Sequence, residues 1–569
     1  DTTMFLDYEI TKSKGNKITM NIASRLTEQA RKQPHKKAIT VPRKNLFKSG
    51  YRYESLTFSE LEERSRQYAI GLKNMGFSKG DRTLVFVRPS LDFSAITFAL
   101  FKLGLIPVFI DPGMGKENLL RAIQQIKPIG LIAVPEVHIL RLFYAKAFES
   151  IKHFVTTGNT RWGKMKSLNQ LKSSGRDTAD QKIEEVNPED IAAILFTSGG
   201  TGIPKGVVYT HQIFSDQTDI LKEIYHLSEK DVDIPGFPLF SLFIIAMGIQ
   251  SCIPDMNPSK PAKANPRKLV ANIQDNQATF AAGSPAIWER VADYCLKHHI
   301  TLPTIKSLVM FGAPISIALH RKFRDVLVNG TTYTPYGATE SLPVSNVSGK
   351  YVLENTSDLT NQGQGTCLGK PVPTIQVKII QISDQAIEDF KDVIEMPIGQ
   401  MGEIIVSGSV VTREYYQMPE KNRETKILDH ENNRLWHRMG DIGYLDHQGR
   451  LWFGGRLTHR VETRNGLLSS VQCEAIFNQH PDVKRTALIG LKRHGETIPA
   501  IVVERKDHAI PESSHKKKMI KELRRLGKEY DHTKDIAEFY FHPSFPVDVR
   551  HNIKIDRIKL RDEAMTGKL

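Results

Sequence analysis

A glycine-rich segment that follows an apolar run constrains this 569-residue chain more than any other feature. Residues 191–196 are apolar without interruption and are long enough for a buried strand. Residues 197–206 then read TSGGTGIPKG, with four glycines, three hydroxyl side chains and one lysine. Glycine reaches the positive φ angles that let backbone N–H groups surround an anion, and Lys205 adds a positive charge. The next segment, residues 207–209, is short and rich in β-branched residues, which is typical of a strand. We therefore predict a phosphate-binding loop that links two strands.

Two common phosphate motifs do not fit this segment. The P-loop requires Gly-Lys-Ser/Thr, whereas residues 204–206 read Pro-Lys-Gly. The dinucleotide motif requires a third glycine where Lys205 stands. An ordinary Gly/Ser-rich turn remains an alternative on composition alone. The segment closely resembles the T-S-G-[ST]-T-G-x-P-K-G signature of the adenylate-forming superfamily, which includes acyl-CoA synthetases, luciferases and peptide-synthetase adenylation domains.

The resemblance implies that the loop holds the phosphates of ATP. The implied contacts are Thr197, Ser198, Gly199, Gly200, Thr201, Gly202 and Lys205. Gly200 departs from the signature, because relatives usually offer a hydroxyl to the pyrophosphate at that position. We expect backbone N–H groups of the loop to compensate.

A second segment, residues 333–341, reads YTPYGATES and has side chains that suit a nucleotide. Tyr336 offers an aromatic face for adenine, Thr339 a hydroxyl for the α-phosphate, and Glu340 a carboxylate for Mg²⁺. Alone it could be an ordinary strand end, but it lies about 140 residues after the loop, as in the superfamily. The resemblance adds further nucleotide contacts at Gly312, Ala313, Pro314, Gly337 and Ala338.

A third segment, residues 436–446, reads WHRMGDIGYLD and resembles the block that binds ribose. Asp441 matches a carboxylate that accepts hydrogen bonds from both ribose hydroxyls. Arg456, which ends the following apolar block, is implied to contact ribose or phosphate. Met439 stands where relatives usually have threonine, so we expect one local hydrogen bond to be missing.

The C-terminal part resembles the superfamily's mobile lid. We place the boundary at Arg456, which divides the chain into an AMP-binding domain, residues 1–456, and a lid, residues 457–569. Near the end, residues 554–557 read KIDR and match the lysine half of the superfamily's last motif, which implies that Lys554 is catalytic. The preceding residues, 548–553, read DVRHNI, a form associated with the β-lactone synthetases of olefin pathways.

Helical and strand patterns alternate along the chain, which predicts an α/β fold with parallel sheets covered by helices. Residues 57–60, TFSE, form a candidate capping box at the start of one helix. The length requires two or three domains. With the resemblance, we expect two parallel-rich αβα subdomains and a small β-rich subdomain, followed by a small α+β lid.

Composition narrows the possible partners and location. The net charge is +15, yet no basic stripe interleaved with aromatic residues is present, so we expect no nucleic acid partner. The basic helix predicted at residues 516–529 is either a solvated face or a dock for CoA phosphate or an anionic membrane. The four cysteines form no CxxC pair and no apolar run is long enough to span a bilayer, which predicts a cytoplasmic protein. The oligomeric state is not predicted.

The resemblance implies that a carboxylate attacks the α-phosphate of MgATP to give an acyl-adenylate and pyrophosphate. Lys554, Lys205, Thr339 and Glu340 are the implied catalytic residues, and Glu340 the metal ligand. Aromatic residues within 236–243 indicate a fatty acyl chain. Our first interpretation is a fatty-acyl-CoA ligase, with CoA as acceptor. The alternative is a β-lactone synthetase that closes a β-hydroxy fatty acid without CoA, and a non-catalytic nucleotide-binding protein is a third possibility.

Overall fold

The structure is a computed structural model that describes residues 21–44, 50–158, 163–175, 182–198, 203–547 and 554–569. Strands in the first part of the chain are β1 (Lys37–Lys44), β2 (Tyr51–Thr57), β3 (Arg82–Phe86), β4 (Ile106–Ile110), β5 (Gly130–Ala133), β6 (His153–Thr156), β7 (Lys166–Ser167), β8 (Ile191–Ser198), β9 (Pro204–Thr210), β10 (Val232–Pro235), β11 (Gln250–Cys252), β12 (Phe280–Gly283), β13 (Ser307–Met310), β14 (Thr331–Ala338) and β15 (Ser341–Ser348).

Later strands are β16 (Thr366–Cys367), β17 (Lys370–Pro371), β18 (Ile375–Ile380), β19 (Gly402–Gly408), β20 (Lys426–Asp429), β21 (Arg434–Leu445), β22 (Leu451–Arg456), β23 (Val461–Thr463), β24 (Gly466–Leu468), β25 (Val483–Arg493), β26 (Glu496–Arg505) and β27 (Glu538–Phe541).

The helices cover these sheets. They are α1 (Ala23–Lys32), α2 (Phe58–Asn74), α3 (Leu91–Lys102), α4 (Lys116–Ile126), α5 (Pro135–Phe143), α6 (Leu168–Ser174), α7 (His211–Ile224), α8 (Phe240–Ala246), α9 (Pro266–Asp275), α10 (Pro285–Lys297), α11 (Ile317–Val326), α12 (Gly349–Tyr351), α13 (Ser357–Asn361), α14 (Pro419–Thr425), α15 (Ser470–Phe477), α16 (Ser513–Gly527) and α17 (Arg557–Met565). A π-helical turn, Val352–Thr356, joins α12 to α13.

Two large sheets are formed by strands between Lys37 and Pro371. One has the described strand order β7-β6-β5-β3-β4-β8-β9, parallel except for the antiparallel pair β8–β9. The other has the order β17-β15-β14-β13-β12-β10-β11-β1-β2, parallel from β1 to β14 through its centre. Residues of α3, α7 and α8 pack together in one core with residues of both sheets. The predicted parallel-rich α/β organisation is therefore confirmed.

The small subdomain and the C-terminal part are also as predicted. An antiparallel sheet of order β16-β22-β21-β19-β18, with β20 beside β21, forms the β-rich subdomain. In the C-terminal part, β25 and β26 pair antiparallel, β27 joins β26 in parallel, and α15 and α16 pack on them. The position of the domain boundary stays a prediction.

The predicted capping box at residues 57–60 is present. Thr57 accepts a hydrogen bond from the Glu60 backbone N–H at 3.2 Å and its own N–H donates to the Glu60 carboxylate at 2.8 Å. A second capping box, at Ser167, starts α6 in the polar stretch before β8. The segment YTPYGATES lies at the turn of a hairpin, because β15 returns antiparallel to β14.

Candidate functional site

One large cavity, of about 2160 Å³, opens beyond the carboxyl ends of the parallel strands in both sheets. Ends of parallel strands are where α/β proteins usually bind ligands, because loops and side chains converge there. Most predicted site residues line it: Thr197, Lys205, Gly312, Ala313, Pro314, Tyr336, Gly337, Ala338, Thr339, Glu340, Asp441, Arg456 and Lys554. Tertiary structure thus brings together residues that lie as much as 357 positions apart in sequence, Thr197 and Lys554.

The predicted phosphate loop links two strands, as expected. β8 ends at Ser198 and β9 begins at Pro204, and these two residues pair, as do Thr197 and Lys205. The predicted contacts Gly199, Gly200, Thr201 and Gly202 lie outside the described residues. The same holds for residues 548–553, which carry the C-terminal signature of the lactone branch.

Glu340 is held at the turn between β14 and β15. Its side-chain Oε1 accepts a hydrogen bond from the Tyr415 hydroxyl at 2.6 Å. Its backbone oxygen accepts two more, from the N–H of Thr412 at 2.8 Å and from the Thr412 hydroxyl at 3.1 Å. The turn is therefore fixed to the loop before α14, and the carboxylate has a defined direction.

Two lysines lie over the ring of Tyr415. The Lys205 ammonium is 5.6 Å from the ring centroid and the Lys426 ammonium is 5.8 Å from it. Burial lowers the pKa of Lys205, and the nearby Lys421 ammonium lowers it further. The aromatic face and the Glu340 carboxylate partly compensate this positive charge, which suits the place where a polyphosphate would lie.

Lys426 is a buried cation behind the cavity wall. Its ammonium donates a hydrogen bond to the backbone oxygen of Thr412. Burial lowers the pKa of Lys426 to about 7, although the Glu340 carboxylate acts in the opposite direction. His437 is its cross-strand partner and lines the cavity. Burial, and then the charge of Lys426, hold the pKa of His437 well below its usual range, so this imidazole is neutral.

Tyr336, Asp441 and Arg456 form one hydrogen-bonded group. The Tyr336 hydroxyl donates to Asp441 Oδ2 at 2.7 Å, and Arg456 Nη1 donates to Asp441 Oδ1 at 2.9 Å. Asp441 and Arg456 face each other across β21 and β22, which explains their approach. Burial raises the pKa of Asp441, and Arg456 opposes this rise. Arg456 orients the carboxylate as well as lining the cavity itself.

The other end of the cavity is apolar and aromatic. The rings of Phe240 and Phe311 stack at 5.2 Å, and those of Phe214 and Phe243 lie 5.3 Å apart. Ser241 donates its hydroxyl hydrogen to the Pro238 backbone oxygen at 2.7 Å and is buried. This end is a suitable environment for an acyl chain.

Lys554 reaches the cavity from a C-terminal segment with two anchors. Ile555 forms a bridge to Val547, and Arg557, at the start of α17, is paired with Glu474 of α15. The Arg557 Nε and Nη2 atoms donate to the two Glu474 oxygens at 2.8 and 2.6 Å. Glu474 also accepts the Leu488 backbone N–H at 2.9 Å. This arrangement determines where the backbone at Lys554 lies.

The AMP-binding enzyme family matches residues 26–416, more than half of the sequence. This chain belongs to that family. It is accordingly an ATP-dependent, AMP-forming ligase whose substrate is a small-molecule carboxylic acid. The adenylate-forming resemblance drawn from the three motifs is confirmed, and the possibility of a non-catalytic nucleotide-binding protein is wrong.

Sequence relatives include two olefin beta-lactone synthetases. That of Xanthomonas campestris is 39% identical over 545 residues, 95% of this chain and 96% of that protein. That of Stenotrophomonas maltophilia is 40% identical over 547 residues, 95% of this chain and 97% of that protein. A long-chain-fatty-acid–CoA ligase of Thermus thermophilus is 24% identical over 471 residues, 80% of this chain and 82% of that protein.

Solved structures confirm the fold. The amide bond synthetase McbA from Marinactinospora thermotolerans aligns with a TM-score of 0.76 and 22% identity, over 95% of this chain and 99% of that one. ATP-bound MatB from Rhodopseudomonas palustris aligns with a TM-score of 0.75 and 19% identity, over 97% of this chain and 100% of that one. At these identities the likeness concerns the fold alone.

The donor set fits a magnesium ion held together with a nucleotide. Within the described ranges, no group of three or more His, Cys, Asp and Glu side chains could hold a metal. Mg²⁺ is commonly bound by one or two carboxylates plus substrate phosphates, and Glu340 lines the cavity next to Lys205. One oriented carboxylate is therefore sufficient on the protein side.

Sequence reasoning missed Tyr415, Lys426, His437, Tyr209 and Gln217. No sequence signal indicated that the Tyr415 hydroxyl would reach Glu340, 75 positions away. Lys426 and His437 lie in ordinary strand patterns. Lys426 is the first residue of β20 and follows Glu424 and Thr425, so no local signal marked it as buried.

Two further predictions meet the structure only in part. All four cysteines are buried and free, and the cytoplasmic location stays a prediction. Among the helices that the structure describes, none combines the length and the apolar character needed to cross a bilayer.

Proposed function

We propose that this enzyme is a β-lactone synthetase, which activates a β-hydroxy fatty acid as its adenylate and then closes it without CoA. The observation that carries this proposal is the identity of 39 to 40% with two olefin beta-lactone synthetases over 95% of the chain. The relatives support this reading better than the fatty-acyl-CoA ligase reading, for which the Thermus ligase is 24% identical.

In the first half-reaction a carboxylate oxygen attacks the α-phosphorus of ATP, and pyrophosphate leaves with the electron pair of the broken bond. No protein nucleophile is needed, so the enzyme acts by positioning and by neutralising charge. Lys554 bridges the carboxylate and the α-phosphate, and the Thr339 hydroxyl donates to the α-phosphate. Lys205 holds the pyrophosphate, and Asp441 holds the ribose hydroxyls. A Mg²⁺ ion bound at Glu340 would supply further positive charge to the phosphates.

In the second half-reaction the β-hydroxyl oxygen bonds to the acyl carbon, and the bond from that carbon to AMP breaks. AMP leaves with the electron pair, and the hydroxyl proton goes to the phosphate of AMP or to water. The aromatic end of the cavity, with Phe214, Phe240 and Phe243, surrounds the alkyl chain and excludes water.

The test is a product assay with ATP and a β-hydroxy long-chain acid, with and without CoA. We expect a β-lactone, AMP and pyrophosphate in both cases. The matched plain acid controls for adenylation alone and should release pyrophosphate slowly, with no lactone. An acyl-CoA thioester that forms only with CoA, from plain acids as well, would contradict the proposal and support the ligase reading.

We also propose a peripheral contact between α16 and anionic membranes. This helix carries Lys516, Lys517 and Lys518, and an exposed basic helix attracts anionic headgroups. A solvated helix face is the alternative. Sedimentation with phosphatidylglycerol vesicles decides: a Lys517→Glu and Lys518→Glu double variant that sediments as the wild type does would contradict the contact.

A further inference from the structure

Gln217 lies where the apolar and nucleotide ends of the cavity meet. It is on α7, one turn after Phe214, whose ring packs on Phe243 at the apolar end. Its neighbour on the other side is Tyr209, whose hydroxyl donates to the Thr339 backbone oxygen at 2.7 Å. Gln217 lines the cavity and is only 3% exposed.

Its amide has one possible orientation. The Nε2 atom donates to the Leu342 backbone oxygen at 2.6 Å, and a carbonyl oxygen can only accept. The amide is also hydrogen-bonded to the Tyr209 hydroxyl, which already donates to Thr339. The N–H groups are thus engaged on the side of Leu342 and Tyr209, and a flip of the amide would place two acceptors face to face.

The Gln217 Oε1 atom is buried and has no hydrogen-bond partner among the described residues. Native proteins rarely bury an amide oxygen without a donor, because the group loses its hydration and gains nothing in return. An oriented, unpaired acceptor in a residue that lines the substrate cavity indicates a donor on the substrate.

We propose that Gln217 is the residue that recognises the β-hydroxyl group of the substrate, by accepting its hydrogen through Oε1. The inference rests on the proposed function, which provides an acid with a hydroxyl two carbons from the carboxyl carbon. The reactive end of that acid lies near Thr339 and its alkyl chain near Phe214 and Phe243, so the hydroxyl lies between them. Gln217 occupies this position.

This hydrogen bond explains both how the enzyme selects a β-hydroxy acid and how it orients the hydroxyl group. A hydroxyl that donates its hydrogen to Gln217 keeps its lone pairs directed elsewhere, toward the acyl carbon, which is the atom it must attack. An amide oxygen does not take the proton, so Gln217 is a specificity-determining and positioning residue. Plain fatty acids leave its oxygen unpaired and should bind less well in the transition state for adenylation.

The experiment compares kcat/KM for pyrophosphate release from a 3-hydroxy acid and from the plain acid of equal length. We expect the wild type to prefer the 3-hydroxy acid by ~10-fold or more. Gln217→Met keeps the volume and removes the acceptor, so it should abolish this preference by slowing only the 3-hydroxy acid. Gln212→Leu, on the same helix and away from the cavity lining, is the matched control and should retain the preference.

Two outcomes would overturn the inference: a wild type without preference, or a Gln217→Met variant that retains the preference because it slows both acids equally or neither. The wild-type comparison needs no variant, so a poorly folded variant does not prevent a decision. The assay reads adenylation alone. If the wild type prefers the 3-hydroxy acid, the variant loses that preference, and a thioester is the only product, the proposed function is contradicted and the hydroxyl recognition stands.

Discussion

At the scale of single residues, the site depends on lysines whose surroundings differ. Lys554 lies at the cavity wall on a C-terminal segment, Lys205 lies on a strand beside the predicted phosphate loop, and Lys426 is fully buried behind Tyr415. The same type of side chain therefore occurs at the cavity wall, on a strand at the cavity and in the interior. These differences lead to separate expectations for substitution.

Lys554→Ala should slow acyl-adenylate formation by ~10² or more, the scale of losing one preorganised donor to a developing charge. The measurement is single-turnover pyrophosphate release with saturating ATP. Lys559→Ala, a nearby lysine on α17, is the control and should retain normal adenylation. Near-normal adenylation by the Lys554 variant would remove this residue from the mechanism.

Lys426→Met should stabilise the nucleotide-free enzyme more at about pH 6 than at about pH 9. The pKa of Lys426 is lowered from 10.5 to about 7 in the folded state. The unfolded chain therefore binds more protons than the folded one between these values, and wild-type stability rises with pH over this range. Below about pH 7, Lys426 is charged in the folded protein, which then carries the full free-energy penalty of burying that charge. Methionine at this position removes the penalty.

Chemical denaturation at the two pH values measures this difference. Lys350→Met is the control, because Lys350 is exposed, so its substitution should change the free energy of unfolding by a similar small amount at both pH values. A Lys426→Met effect of equal size at both pH values would contradict the assigned burial cost.

At the scale of elements, the contact between α17 and α15 positions the segment that carries Lys554. Arg557 and Glu474 form a bidentate pair, and their side chains are only 15% and 10% exposed. The pair joins residues 83 positions apart. Glu340 is positioned in a similar way: it lies at the turn between β14 and β15 and accepts hydrogen bonds from the Thr412 and Tyr415 hydroxyls.

Arg557→Met should lower the free energy of unfolding of the C-terminal part by about 3 kcal/mol, because it leaves the Glu474 carboxylate buried without its partner. Thermal unfolding measures the change. Arg561→Met, on the same helix, removes an exposed pair with Asp562 and should change the value by less than about 1 kcal/mol. Equal effects of the two substitutions would show that the buried pair does not anchor α17.

At the scale of the whole molecule, the proposed boundary at Arg456 separates two hydrophobic cores. The core of the C-terminal part contains residues of α15, α16 and β25 to β27, and none of the first two sheets. Polar contacts cross the boundary: Gln479 donates to the Asn361 backbone oxygen at 2.7 Å, and Arg460 pairs with Asp384 at 2.7 Å. Because each part has a hydrophobic core of its own, we expect the two parts to unfold separately.

Calorimetry should therefore show two unfolding transitions in the wild-type enzyme. Arg557→Met should shift only the one that belongs to residues 457–569, whereas Val291→Ala, in a core of the large domain, should shift only the other. A single transition that both substitutions shift together would contradict the boundary.

The local elements and the chemistry of the motifs could be predicted from the sequence, because both depend on neighbouring residues. Apolar runs, a capping signal and a basic helical pattern predicted β8, β9, α2 and α16, and the residues around Lys205, Glu340 and Asp441 indicated a nucleotide site. The motif spacing was sufficient for the family, which the match over residues 26–416 confirms.

Tertiary structure alone decided which side chains support these motifs. Tyr415 reaches Glu340, Glu474 pairs with Arg557, and the Gln217 amide is oriented by Leu342, in each case across 75 or more positions of sequence. The burial that lowers the pKa of Lys426 likewise arises from several elements packing together. Local patterns specify backbone conformation, but the partner of a buried polar group depends on distant segments, so no local pattern could indicate it.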